Sequence, residues 1–408
     1  VRKINNIFYK IFILILIIIF IYSFSASYTS LNLDNLAFVV ALGIDKSTSN
    51  KLKVTFQFIK PTPSSEGGSQ TKPVLTSVEC SSITNGINIM NAYLGKKVNL
   101  SHCKLIIFSE EIAKDGISDE IYSLINEVQI RPSANIIISK CNTKYYIENS
   151  VPSLESLIPK YYNIFPHSSE YTGYTCDATI GDFFNALVCN SCAPYAMLGG
   201  ISSFNEDSSS NPESLNDSTI KSNESLVTGN RLSQNIGVAV FKNDKLAGEL
   251  NAIETICFLN IRKQVDSFLV SIPDPENSNS KIDIYLTPNS THNISVNIVN
   301  GTPYIKIKFD FSGKIYSMTK GSEYLNTDVL DSISTTCNKY LKEQFTNYLY
   351  KTATTFDSDI NGFGVYSLSQ FKTSTEFDDY NWLVNYKNST FDVDINTVMD
   401  SGFLLTQT

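Results

Sequence analysis

Apolar and polar positions divide the chain into short blocks that alternate between strand and helix periods. Leu36–Ile44 is almost continuously apolar, as a strand buried on both faces is. Asp45 opens a polar turn, and Lys53–Lys60 then alternates with Val54, Phe56 and Phe58 on one face, the pattern of a hairpin partner. Pro61–Pro73 carries Pro, Ser and Gly-Gly and reads as a loop. Ile83, Ile87, Met90 and Leu94 recur at helical spacing in Ser82–Leu94. Strands are expected at Cys103–Phe108 and Ala134–Lys140. A single helix is expected over Glu110–Val128, and a short one at Thr143–Glu148. Ser202–Ser225 is dominated by Ser, Asn and acids, a composition suited to a linker or long surface loop. Beyond it, strands are expected at Gly237–Phe241 and Ser267–Ile272. A meander follows over Lys281–Leu286, Asn293–Val299 and Tyr304–Phe311, with a long helix at Asp328–Tyr350 and a last strand at Phe391–Ile395.

The first residues follow a different rule. Arg2, Lys3 and Lys10 precede the unbroken apolar run Ile11–Tyr22, and Ser23, Ser25, Ala26 and Ser27 follow it. That layout predicts an export signal, either cleaved after Ser27 or kept as an anchor with the body outside the cytoplasm. Three of the 32 basic residues lie in the first 27 positions, which hold no acid, so the rest carries 29 basic and 40 acidic residues, a net charge of −11. Bulk charge of that sign disfavours both nucleic acid and anionic lipid as partners. The apolar and aromatic content is sufficient for sizeable cores. The expected class is α+β and multi-domain, with mixed or antiparallel sheets and helices packed against them. The expected divisions are 1–27 as signal or anchor, 28–201 as an N-terminal α/β domain, 202–230 as linker and 231–408 as a C-terminal α+β region, with room for two subdomains.

Candidate chemistry is sparse. His102, His167 and His292 are isolated, which argues against a metal site, and no nucleophile elbow or phosphate-cradling loop is present. Cys189 and Cys192 have the spacing of a redox pair or half a zinc site, yet no second close pair accompanies them. They are read as buried thiols or a single disulfide of an exported protein. Asp357 with Asp359, and Asp378 with Asp379, lie close in sequence but have no His or Cys beside them, so turn capping or a solvated face is the expected role. Trp382, the sole tryptophan, sits between Tyr380 and Tyr386 and reads as core. No catalytic residue, cofactor or metal ligand is assigned.

Several segments resemble, in order, the C subunit of Ger-type spore germinant receptors. Asp34–Asp45, with Leu36 and the run Leu42-Gly43-Ile44-Asp45, is similar to the start of the mature subunit. Ser101–Glu111 resembles a strand-to-helix segment. Gly237–Gly248, including Phe241 and Lys242, resembles the opening of the second half. Asp359, Gly362, Gly364 and Trp382 resemble C-terminal signature positions. Ser27 stands where the family carries its lipidated cysteine, and a serine cannot form that thioether. The resemblance implies a non-catalytic, membrane-held subunit on the outer face of the spore inner membrane. It also implies two integral membrane partners, an A-type and a transporter-like B-type subunit, in a complex that responds to small nutrients. An exported structural or adhesion-type surface protein and a cell-wall hydrolase are the alternative classes.

Overall fold

The computed structural model describes residues 2–25, 33–47, 51–59, 73–150, 152, 154–155, 157–202, 219–224, 227, 232–275, 280–289, 293–318 and 327–400. The first element is one helix, α1 (Arg2–Ser25), whose side chains from Tyr9 through Phe20 are exposed. Among the described residues, no helix is long and apolar enough to cross a membrane. Ser27 lies outside the described residues, as do Pro61–Lys72 and His292.

A first sheet follows from the apolar runs. β1 (Leu36–Lys46) pairs antiparallel with β2 (Leu52–Ile59), and β2 with β3 (Val74–Cys80). Ser82 caps α2 (Ile83–Leu94) by accepting from the Asn85 N–H, and Gly95 ends it in the left-handed region. β4 (Lys97–Asn99) and β5 (Leu105–Ser109) both lie parallel to β1. The helix expected over Glu110–Val128 is two, α3 (Glu110–Asp115) and α4 (Ser118–Asn126). Gly116 between them has φ +119°, and a Cβ there would lie 2.6 Å from Asp244 Oδ2, so the break makes room for a loop distant in sequence.

β6 (Asn135–Ser139) is parallel to β5, and α5 (Thr143–Glu148) follows it. Helices α6 (Ile158–Ile164), α7 (Ser169–Thr172) and α8 (Ile180–Val188) lead to β7 (Tyr195–Ile201), again parallel. β8 (Ser233–Lys242) and β9 (Lys245–Leu250) close the sheet antiparallel. The strand order is β3-β2-β1-β5-β6-β7-β8-β9, with β4 alongside β1. The expected linker 202–230 therefore joins two neighbouring strands of one sheet, with Tyr195 opposite Val240, and the first two strands after it, β8 and β9, stay with the first sheet. Residues 203–218 of it lie outside the described residues.

The second layer begins with α9 (Ala252–Arg262), held by a reciprocal Asn251–Glu254 capping box and buried along almost its whole length. β10 (Phe268–Pro273), β11 (Lys281–Pro288), β12 (Asn293–Val299) and the long β13 (Thr302–Met318) come next. They do not form the simple meander expected. β12 pairs with the first half of β13 and β11 with its second half. α10 (Thr327–Tyr350) runs into a π-helical turn at Lys351–Thr355. Short helices α11 (Phe363–Ser367), α12 (Ser374–Tyr380) and α13 (Trp382–Asn385) precede β14 (Thr390–Asp400). β14 lies parallel along the other edge of β13, so the second sheet is mixed rather than purely antiparallel. Phe309 and Phe345, with ring centroids 4.4 Å apart, mark where α10 packs on this sheet.

Candidate functional site

The residues singled out in the sequence gather in two places. At the first, Leu36, Leu42 and Ile44 are buried in β1, and Gly43 lies under the start of α5. A Cβ on Gly43 would sit 2.3 Å from Thr143 Oγ1, so only glycine lets the helix descend onto the strand. Asp45 then meets the same helix end. Its Oδ1 accepts from the Thr143 N–H at 3.0 Å and its Oδ2 from the Thr143 hydroxyl at 2.5 Å. Burial pushes the Asp45 carboxyl above its ordinary pKa, and the two Thr143 bonds pull it back. The Leu-Gly-Ile-Asp run is thus a strand-to-helix clasp. Thr143, its partner 98 residues away, could not be found from the sequence.

The second place is the seam where the last strands of the first sheet meet α9, the π-helical turn and α11–α13. Phe241 is fully buried against Phe183, edge to face at 4.9 Å. Its carbonyl accepts from the Ser358 hydroxyl at 2.6 Å, and Lys242 Nζ pairs with Asp357 Oδ2 at 2.5 Å. The Ala193 N–H donates to the Asp359 carbonyl at 3.1 Å, and half-buried Arg262 donates to the Ile360 carbonyl at 3.1 Å while lying over the Tyr195 ring. Four ties, one from each consecutive residue, therefore bind Asp357–Ile360 to β8, α9 and the segment leading into β7.

Asp359 is the centre of this seam and is fully buried, which corrects the expectation of a solvated face for it. Its Oδ1 accepts from the N–H groups of Gly362 at 2.9 Å and Phe363 at 3.1 Å. Its Oδ2 accepts from the Gly364 N–H at 2.9 Å and from Trp382 Nε1 at 2.8 Å. Capping, the other expected role, is what the carboxylate does for α11, whose first N–H groups have no partner within the helix. Loss of water pushes its pKa up to about 6, and the four donors pull in the other direction. Gly364 belongs here for steric reasons. A Cβ on it would lie 2.6 Å from Ser191 O and 2.7 Å from Trp382 Cδ1. Ser191 is carried on the loop closed by the Cys189–Cys192 disulfide, so that pair has a structural place beneath the signature glycine. Trp382 is buried against Tyr386, as read.

Two adjoining clefts open over the seam, of about 410 and about 390 Å³, sharing Asn243, Asn381 and Leu383. Lys242, Asp357 and Lys387 line the first, and Cys189, Asn190 and Asp378 the second. Asn243, Asp357 and Asn381 have φ of 55°, 50° and 51°. Left-handed backbone at non-glycine residues costs energy that surrounding contacts must offset, and it concentrates at functional sites. The side chains present here can hold charge and hydrogen-bond a partner, but they do not form an acid–base pair. Both oxygens of Asp359 are engaged by four donors inside the core, and Asp357 is turned away to Lys242. Asp378 accepts from Asn190 Nδ2 at 3.2 Å. Among the described residues there is no cluster of His, Cys, Asp and Glu able to hold a metal ion.

The two halves of the chain match two family descriptions in order. Residues 29–198 match the spore germination protein N-terminal domain, and residues 236–401 match the spore germination B3/GerAC-like C-terminal domain. The chain belongs to the GerAC-like family of spore germination proteins. It is 22% identical to spore germination protein KC of Bacillus subtilis (strain 168), over 78% of each chain. Its fold is similar to the crystal structure of the GerBC protein, with a TM-score of 0.52 and 15% identity, covering 88% of this chain and 96% of that one. The two-sheet α+β architecture is therefore that of a GerBC-like fold. Within this GerAC-like chain, both matched halves meet at the Asp359 seam, since Ala193 falls in the first match and Phe241 and Asp359 in the second.

Proposed function

We propose that this spore germination protein is the extracytoplasmic C-type subunit of a nutrient germinant receptor, without catalytic activity of its own. Its site is the outer face of the spore inner membrane, and its partners are an integral A-type and a transporter-like B-type subunit. The observation that carries this reading is the match of both halves of the chain, in order, to the GerAC-like descriptions. The seam supports a contact role. Its one strongly perturbed carboxylate, Asp359, is consumed in holding α11 and Trp382 and has no face turned to a substrate. A clasp shared by both halves suits a subunit that biases a conformational equilibrium between resting and signalling states. Ser27 cannot take the family's lipid, so we assign attachment to α1, whose apolar side chains are exposed on the helix. The working division of the body keeps Ser233–Leu250 with the N-terminal unit, because those strands pair there.

The test is nutrient response. Spores lacking this chain are expected to lose the response to at least one nutrient in a broad panel, with recovery on re-expression. Unchanged germination with every nutrient, together with altered surface adhesion, would favour the structural surface protein instead.

A further inference from the structure

We propose that the end of the first sheet nearest α1 is a docking surface for anionic lipid head groups, an inference that rests on the membrane-held reading above. β1, β4 and β5 run parallel, so their N-terminal ends share one side of the sheet. β6 continues the set, with Leu105 opposite Asn135. Three segments build this end. The residues before β1 are Leu33–Asn35. Gly95–Lys104 joins α2 to β5, with Lys97 opposite Leu36 and the His102 ring 5.2 Å from Phe38. The turn after α4 is tied in by the Leu100 N–H, which donates to Gln129 Oε1 at 2.7 Å.

The chemistry of this end differs from that of the body. Leu33, Tyr93 and Val128 are exposed by 67%, 73% and 97%, so three large side chains give up apolar surface to solvent there. Lys96, Lys97, Lys104 and Arg131 stand on the same segments against only two carboxylates, Asp34 and Glu127. These three segments are net positive on a body of net charge −11. Aromatic and apolar tips flanked by lysines are the composition that settles at a bilayer interface, where rings sit at head-group depth and cations meet lipid phosphate.

Distance selects the occupant. Only residues 26–32 separate α1 from Leu33, and seven residues reach roughly 25 Å when fully extended. If α1 sits in lipid, the end carrying Leu33 is held within that distance of it. The opposite end of the same strands, at Lys46 and Lys51, lies a strand length farther away. Head-group contact here would fix the rotation of the body above the membrane.

Lysine acylation of the full chain, read by mass spectrometry, tests this on vesicles of phosphatidylcholine alone and of phosphatidylcholine mixed with phosphatidylglycerol. Lys96 and Lys97 are expected to react about fivefold more slowly on the anionic vesicles, and added salt is expected to restore their rate. Exposed Lys51 should react equally on both. Equal rates for Lys96 and Lys97 on both vesicles, with the chain co-floating, would overturn the docking surface and leave the tether intact. A chain that floats with neither vesicle would overturn the tether itself and this surface with it.

Discussion

Acidification should stabilise this protein through one residue, and the size of the effect follows from the seam. Asp359 is fully enclosed, and burial raises its carboxyl pKa from the ordinary 3.8 to about 6 in spite of four N–H donors. The folded state therefore holds the Asp359 proton more tightly than the unfolded chain does. Stability from this group is complete below pH ~4 and is lost as pH rises through about 6. A rise of about two units corresponds to roughly 3 kcal/mol. Other carboxyls titrate in the same range, so the clean quantity is the difference between wild type and Asp359→Asn, which cannot ionise. Urea unfolding of the full chain in detergent, followed by Trp382 fluorescence, reports the site directly because Trp382 is the only tryptophan and donates to Asp359. Between pH 7 and pH 4 the wild type should gain about 3 kcal/mol relative to the variant. A difference that stays flat across this range would refute the raised pKa. A difference that moves the other way would show that the four donors outweigh the loss of water and that Asp359 is held as a firmly ionised cap.

Other outcomes follow from close contacts and exposure. Gly364→Ala drives a methyl to 2.6 Å from Ser191 O and should cost about 1–3 kcal/mol, with a shift in Trp382 emission, whereas Val365→Ala, at an exposed neighbour, should change stability by less than about 0.5 kcal/mol. Gly43→Ala pushes on Thr143 and should cost a similar 1–3 kcal/mol in urea unfolding without altering Trp382 emission in the folded state. Lys242→Met removes a pair whose lysine is half exposed, so its effect on stability should be at most about 1 kcal/mol, and smaller still in high salt. A loss of several kcal/mol in that variant would mean that the Lys242–Asp357 tie carries the seam.

The parts of the fold that were legible are those whose evidence is local. The apolar run of β1, its alternating partner β2 and the spaced Ile83, Ile87, Met90 and Leu94 of α2 each declare themselves within a few residues. α9 escaped because Ala252, Ile253 and every residue from Thr255 to Ile261 are buried, Thr255 and Asn260 included, so the helix presents no exposed polar face. The split at Gly116 depends on Asp244, more than a hundred residues on, and the parallel pairing of β14 with β13 cannot be read from either strand alone. The 202–230 segment was legible as a connection, but a polar composition does not tell that the strands on either side of it pair in one sheet. The seam was half legible. Phe241, Lys242, Asp359, Gly362, Gly364 and Trp382 were each picked out by family resemblance, and the fold brings them together. Asp359 was read as a cap but not as buried, since the ring that covers it lies 23 residues farther along the chain. Ser358 and Ser191, which complete the seam, are ordinary in sequence and gave no signal.

The account turns on this chain acting as a receptor subunit through contact. The most direct measurement is affinity purification of the full chain from detergent-solubilised spore membranes, with mass spectrometry of what comes with it. Recovery of two polytopic germination proteins in constant ratio, with residues 1–27 still attached to the chain, is the expected result. A chain recovered alone and beginning at Tyr28 would contradict both the receptor assignment and the attachment through α1.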